Sequence, residues 1–397
     1  MYAFLSWDWS GLVIALLLVL LGIAIVMLGQ RVTGKVLRRS VTALGGVVVL
    51  VSGVLVVTST IYGISVARAW AEYPPPGEMI DVGGYDMHIL AEGENNGNPT
   101  LVWVPGGHSA GFNLYNFHQV FRNETRSILF DRPATGWSDT GPFPRTTSLE
   151  IDELHRLMDA VGETDKFVLI GHSYGGLLAM SYAMRYPEQI AGLILLDSGI
   201  AENWENPVAA NFMAQVSRTT FYGAVLSTFG LPADLFTEHA MKDAIAGLIA
   251  IYERELKDVW PELTALNRPS INGYGSASIY SEIGTPEFFE DVPTTPGVLN
   301  GTPGTYITFL GGMDLTTPEA LEIAIELSGM DAEGAAGQLE GLQRNRDLME
   351  SLSDQLTSYS IPDGATHNFP YERPDFVMEH VRRIITLVKE AKNPTTM

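Results

Sequence analysis

The sequence predicts an α/β protein: a mostly parallel sheet with helices on both faces, a helical insertion, and two membrane-length helices ahead of both. Three observations predict it. Short apolar runs and helical periodicities alternate from about residue 100 to 198, as parallel strands joined by crossover helices do. The alternation lapses from about 199 to 300 and resumes at Thr305. Two long apolar runs precede residue 70. These shifts divide the chain into 1–72, a helical hairpin; 73–198, the first part of the core; 199–300, a mostly helical cap; and 301–397, the second part of the core.

The hairpin comes first. Gly11–Gly29 is almost unbroken in its apolarity and long enough to cross a bilayer, and Val41–Ala67 is a second, longer run. Helices are expected at about 11–29 and 41–67. The connection Gln30–Ser40 holds Arg31, Lys35, Arg38 and Arg39 and no acid. An excess of basic residues marks a cytoplasmic loop, so the N-terminus and everything after residue 67 are expected outside, on a multi-pass membrane protein. Trp7, Trp9, Tyr62 and Trp70 fall where amphipathic rings collect at the outer interface. A signal peptide is the competing reading. The first run has no basic stretch before it; the second is followed by Ala69-Trp70-Ala71, a cleavage-like site, but is long for a signal core.

The chain carries 46 acidic and 24 basic residues for a formal charge of −22. That repels a phosphate backbone and excludes nucleic acid as an expected partner. There is no cysteine, so disulfides, thiolate nucleophiles and cysteine-based metal sites are excluded.

After a stiff Tyr73-Pro-Pro-Pro-Gly77 spacer, Asp81–Gly93 reads as two strands around Gly84-Tyr85. Thr100–Val104 is a buried strand ending in the glycine-rich Pro105–Gly111 loop. Ser127–Phe130 is a strand leading into Asp131–Asp139, and Thr147–Val161 has helical spacing. Phe167–Ile170 is a continuous apolar run, as in a strand covered on both faces. Gly171-His172-Ser173-Tyr174-Gly175 follows, a G-x-S-x-G sequence opening a helix. Strand, sharp turn and helix are the context in which that pattern forms a nucleophile elbow, whose flanking positions must be small. Ala191–Leu196 is the next strand and ends at Asp197. Within the insertion, Met241–Leu256 has helical character. Thr305–Leu310, Thr357–Ile361 and Asp375–Lys392 complete the core as two strands and a closing helix.

Acyl transfer builds negative charge on a carbonyl oxygen, which two backbone N–H groups must meet. One is expected from the residue after the nucleophile, Tyr174, and one from the loop after the 100–104 strand, at Gly107 or alternatively His108. Ser173, Gly107, Asp131 and Asp197 all fall at carboxyl ends of strands, where α/β sheets place their sites.

Together the glycine-rich loop at 105–111, DRPATGWSD at 131–139, GHSYGG at 171–176, GGMD at 311–314 and ATHNFPYERPD at 365–375 resemble the α/β-hydrolase superfamily, in particular its serine esterases. The resemblance covers about 79–198 and 303–390. It implies an α/β-hydrolase fold and the chain order nucleophile, acid, base, here Ser173, Asp314 and His367. Asp197 is the alternative acid, because a minority of such enzymes carry it there. Two departures stand out: Pro105 replaces the usual histidine at the start of the oxyanion loop, and Ala134 replaces the first glycine after Asp131-Arg132. The implied activity is hydrolysis of an ester-like bond in a small acyl compound. Phe212, Phe221, Tyr222, Phe229 and Phe236 suggest an apolar pocket. No cofactor and no metal are expected. An amidase or aminopeptidase, a lactonase or a C–C hydrolase on the same triad is the alternative, with Glu202, Glu205, Glu238 and Glu282 available to bind an amine. A non-catalytic binding module is the third reading. Epoxide chemistry is disfavoured, since that branch has Asp where this chain has Ser173.

Overall fold

The computed structural model describes residues 2–5, 7–107, 109–199, 207–232, 268–283, 285–308, 314–328 and 331–392. The expected helix at 241–256, together with His108, Glu202, Glu205, Glu238 and Phe236, lies outside the described residues, as does the side chain of Phe212. By its contacts the chain divides into two compact units, one of 1–74, 140–144 and 216–278, the other of 75–139, 145–215 and 279–397. The sequence drew the hairpin and the insertion as separate segments; here the middle of the insertion groups with the hairpin.

The larger unit is built on one eight-stranded sheet. Its strands are β1 (Glu78–Asp81), β2 (Asp86–Glu92), β3 (Thr100–Val104), β4 (Ser127–Phe130), β5 (Phe167–His172), β6 (Ile190–Leu196), β7 (Gly304–Thr308) and β8 (Leu356–Ser360). They lie in the order β1-β2-β4-β3-β5-β6-β7-β8. The β1–β2 and β2–β4 pairs are antiparallel, and all pairs from β4 to β8 are parallel. The fold is therefore that of an α/β hydrolase. Every residue of β3, β4, β5 and β6 is buried, which is why these strands read as continuous apolar runs rather than alternating ones. Their side chains meet those of α4 (Thr147–Ala160) and α5 (Tyr174–Arg185) in one core; α3 (Tyr115–Phe121) follows β3.

The smaller unit holds the two apolar helices, α1 (Ser10–Gln30) and α2 (Lys35–Glu72). Both are long and apolar enough to cross a membrane. The second starts six residues before the expected run and ends five after it: Gly34 caps it, and Lys35, Arg38 and Arg39 are good helix formers that extend the first turns. Its 38 residues span about 57 Å, well beyond the roughly 30 Å of a hydrocarbon core. The helices meet along small residues spaced by seven: Ala15, Gly22 and Gly29 on one, Gly45, Ser52, Ser59 and Val66 on the other, all buried. The approach is close. A Cβ at Gly22 meets Val49 at 2.8 Å, and one at Gly45 meets Val26 at 2.7 Å. Small residues that let backbones touch are how helices associate where no water drives them together. The large residues point away, with Leu20 62% and Leu50 71% exposed.

Candidate active site

The elbow forms because its neighbours leave no room for side chains. Ser173 sits at φ 54°, a region that costs a non-glycine residue strain, of the kind concentrated at functional sites. A Cβ at Gly171 lies 2.3 Å from the Gly175 carbonyl, one at Gly175 lies 2.3 Å from the Val104 carbonyl, and one at Gly176 lies 1.7 Å from Ser198 Oγ. Backbone closes Gly171 and Gly175 to larger residues, while at Gly176 the Ser198 side chain would have to move. The Ser173 N–H donates to the Leu196 carbonyl at 2.9 Å, tying the elbow to the end of β6. Tyr174 opens α5, so its N–H belongs to the first turn, whose donors have no partner within the helix and which carries the positive end of the dipole.

The residue after Leu196 is Asp197, also at positive φ, 47°. Its N–H donates to the Ile307 carbonyl at 2.6 Å. Its Oδ1 accepts from the Thr308 hydroxyl at 2.9 Å, and its Oδ2 lies 2.6 Å from His367 Nδ1. The carboxylate is nearly enclosed, 11% exposed, whereas the His367 side chain is 48% exposed. Among the described residues, His367 Nε2 has no protein partner.

The sequence expected Asp314 at His367 with Asp197 as the alternative; the structure brings Asp197 there. Asp314 does not hold His367. Its Oδ1 accepts from the Thr316 N–H at 2.9 Å and hydroxyl at 2.6 Å, and these bonds hold its carboxyl below the usual range in an exposed turn. The physical reason is local. Asp314 stands six residues beyond the end of β7 and opens a turn that uses its carboxylate. Asp197 follows β6 directly, and its positive φ swings the carboxylate toward Thr308 and His367.

His172, inside the elbow, also reaches the histidine loop. Its Nε2–H donates to the His367 carbonyl at 2.8 Å, and the two rings lie 4.7 Å apart. Burial, reinforced by the neighbouring His367, pushes the His172 imidazole down to about 3. It is thus a neutral donor that fixes the backbone of the histidine loop.

The glycine-rich loop lies against the elbow. A Cβ at Gly106 falls 3.8 Å from Ser173 Cβ, and one at Gly107 falls 3.7 Å from Tyr174 Cβ and 2.6 Å from the Tyr280 hydroxyl. Burial pushes that hydroxyl up to about 12. The Gly106 carbonyl accepts from Arg132 Nη2. In a trans peptide the N–H points opposite to the carbonyl, so the Gly107 N–H faces away from Arg132. Arg132 also donates to Glu150 at 3.1 Å, and its guanidinium stands 5.3 Å from the Tyr174 ring centroid.

Behind Arg132 lies a buried ionic network that the sequence reading missed. Arg145 donates to Glu153 at 2.8 Å and to Glu150 at 3.4 Å, and Tyr85 donates to Glu153 at 2.5 Å. The signal was present: Glu150 and Glu153 share a helix face with Leu154 and Leu157, and carboxylates on a buried face demand partners. Glu282, expected as an available acid, is occupied by Thr147, accepting from its N–H at 2.7 Å and hydroxyl at 3.1 Å. Among the described residues no group of three or more His, Asp or Glu side chains is set to hold a metal ion.

Comparison with known proteins fits this geometry. The profile of the "Alpha/beta hydrolase family" matches residues 101–380. A cis-3-alkyl-4-alkyloxetan-2-one decarboxylase from Shewanella oneidensis is 30% identical over 146 residues, 36% of this chain and 45% of that protein. A human (lyso)-N-acylphosphatidylethanolamine lipase is 34% identical over 113 residues, 28% of this chain and 33% of that protein. The chain thus spans less than half the length of either relative. An epoxide hydrolase from Bacillus megaterium superposes with a TM-score of 0.54 at 16% identity, over 78% of this chain and all of that one; it shares the fold.

Proposed function

Since the chain belongs to the alpha/beta hydrolase family, we propose that it is a membrane-anchored serine hydrolase of ester-like acyl compounds, with Ser173 as nucleophile, His367 as base and Asp197 as acid. The observation that carries this is the 2.6 Å contact between His367 Nδ1 and Asp197. It leaves Nε2 as the nitrogen that faces the reaction.

Asp197 accepts the Nδ1–H and so fixes the tautomer in which Nε2 can take a proton. Ser173 Oγ attacks the acyl carbon while Nε2 removes its proton. The carbonyl oxygen gains negative charge and is met by the N–H groups of Tyr174 and Gly107. The protonated His367 gives its proton to the leaving group, and the acyl group stays on Ser173. Water, deprotonated by the same nitrogen, then attacks the acyl-enzyme and restores Ser173. His172 and Arg132 act at one remove, the first on the His367 backbone, the second on the Gly106–Gly107 peptide.

The anchor is read from α1 and α2, whose outward faces are large and apolar; only lipid covers such surfaces at no cost. Arg31, Lys35, Arg38 and Arg39 put their connection on the cytoplasmic side and the sheet on the other. The lipase among the relatives supports an acyl substrate with apolar character.

The test is turnover of short p-nitrophenyl esters by the full chain and by Ser173→Ala, beside labelling with a fluorophosphonate. Labelling that depends on Ser173 and turnover lost in the variant are expected. Equal turnover by both proteins sinks the reading.

A further inference from the structure

At the end away from its basic connection, the apolar hairpin binds part of the insertion. The carbonyls in the last turn of a helix have no partner within it. At the end of α6 (Pro207–Thr228), the adjoining Phe229 carbonyl accepts from the Thr58 hydroxyl of α2 at 2.5 Å. The neighbouring Thr228 carbonyl reaches so near α1 that a Cβ at Gly11 falls 1.8 Å from it. The approach is reciprocal at Gly230, at φ 66°, where a Cβ meets the Thr58 carbonyl at 2.3 Å. Thr228 is itself buried and shares a 2.7 Å hydrogen bond with Tyr274 of α7 (Pro269–Glu282).

The start of α7 is held independently. Arg268, buried just before its first residue, has its guanidinium 5.6 Å from the ring centroid of Trp70, at the end of α2. Its charge also opposes the upward shift that burial imposes on the Asp8 carboxyl, just before α1. The end of one helix of the insertion and the start of another thus rest on the outer ends of the hairpin. An inert tether would need none of these contacts. Gly11 and Thr58 also stand within about a turn of Trp9 and Tyr62, rings suited to a membrane surface.

We infer that the hairpin is the seat of the described parts of the insertion at 216–232 and 268–278, holding them on the outer surface of a lipid bilayer, and that the acyl substrate is an amphiphile drawn from that bilayer. The second half rests on the serine-hydrolase reading. Its ground is chain order: the segment seated on lipid is joined along the chain to Asp197, the proposed acid.

The absence of cysteine permits a clean test. Ser227→Cys places one thiol at a buried position of α6 in full-length protein reconstituted in phosphatidylcholine vesicles. Maleimide labelling is expected to be slow, to quicken at least tenfold when Gly11→Leu is added, and to stay within twofold when the lipid-facing Leu50→Ala is added instead. Equal labelling in all three backgrounds overturns the seat. In the second arm, Gly11→Leu is expected to lower hydrolysis of a fluorogenic long-chain ester dissolved in the vesicles at least tenfold. It should leave p-nitrophenyl acetate turnover within twofold, which also reports that the sheet is folded. Equal loss or equal retention of both overturns the bilayer substrate. If the parent protein hydrolyses neither ester, the hydrolase reading and the substrate half fall together, while labelling still decides the seat.

Discussion

Two histidine–aspartate pairs stand on the same sheet, in opposite surroundings. His367 and Asp197 meet at 2.6 Å; His88 and Asp131 meet at 2.9 Å. By residue type and distance they are near twins. The difference lies in what else each ring touches. His88 is 3% exposed, and its second nitrogen bonds the Pro76 carbonyl at 2.5 Å. Asp131 also accepts from the Gly111 N–H at 2.6 Å and the Trp137 N–H at 3.0 Å. Every polar atom of that ring is spent inside the protein, so the pair can hold a loop but cannot exchange a proton with a substrate. His367 has a half-exposed ring with one nitrogen engaged and, among the described residues, no protein partner for the other. A reactive pair is recognised by its unspent nitrogen, not by its ion-pair geometry.

The contrast can be broken from either side. The largest effect is expected at the exposed ring: His367→Ala should lower kcat roughly 10,000-fold or more, while the thermal transition stays within a few degrees. His88→Ala showing the same pattern would erase the distinction. Next is Asp197→Asn, expected to cost roughly a thousandfold in kcat by releasing the tautomer. Asp131→Ala should act on stability instead, by about 3 to 5 kcal/mol in chemical denaturation, because it strands a buried partner and two backbone donors. Its turnover per folded molecule should change little.

A smaller effect separates the pairs by pH. Burial pushes the His88 imidazole down, but the hydrogen bond and charge of Asp131, with the Pro76 carbonyl, win and leave it raised above 6.5. The folded state then binds the proton more tightly than the unfolded one. The stability this confers is complete below pH 6.5 and is lost as pH rises through the raised value, at no more than about 1.4 kcal/mol per pH unit. Denaturation of His88→Gln across that window should lack this part of the slope; an unchanged slope assigns it elsewhere. The smallest effect is expected from Asp314→Asn, within about twofold in kcat, because its bonds stay within its own turn. A loss matching that of Asp197→Asn would restore Asp314 as the acid.

How much of this was legible depends on distance along the chain. The elbow could be read because everything that makes it is local: an apolar run buried on both faces, then glycines where carbonyls press in. His367 could be read because it follows the last strand and little else there could act as a base. The choice between Asp197 and Asp314 could not. Both end or follow a strand, and what separates them is the backbone angle at Asp197 and the hydroxyl of Thr308, 111 residues away. The hairpin was plain from apolarity, but its second role was not, since the bond from Thr58 to Phe229 spans 171 residues. Arg132 was visible in its motif, yet its grip on Gly106 depends on β3 and β4 lying side by side.

The backbone bond from Ser173 to Leu196 has a consequence for heat. It joins the proposed nucleophile to the residue before the proposed acid, on adjoining strands of the sheet interior, so these two should shift as one body. The proposed base has looser ties. Its loop is held by His172 at the His367 carbonyl and by Thr366, whose N–H and hydroxyl donate to Glu372 at 2.6 and 2.8 Å in an exposed turn. Raised temperature is therefore expected to dislodge the histidine before it opens the sheet. Ester turnover should be lost some degrees below the melting point and recover in full on cooling.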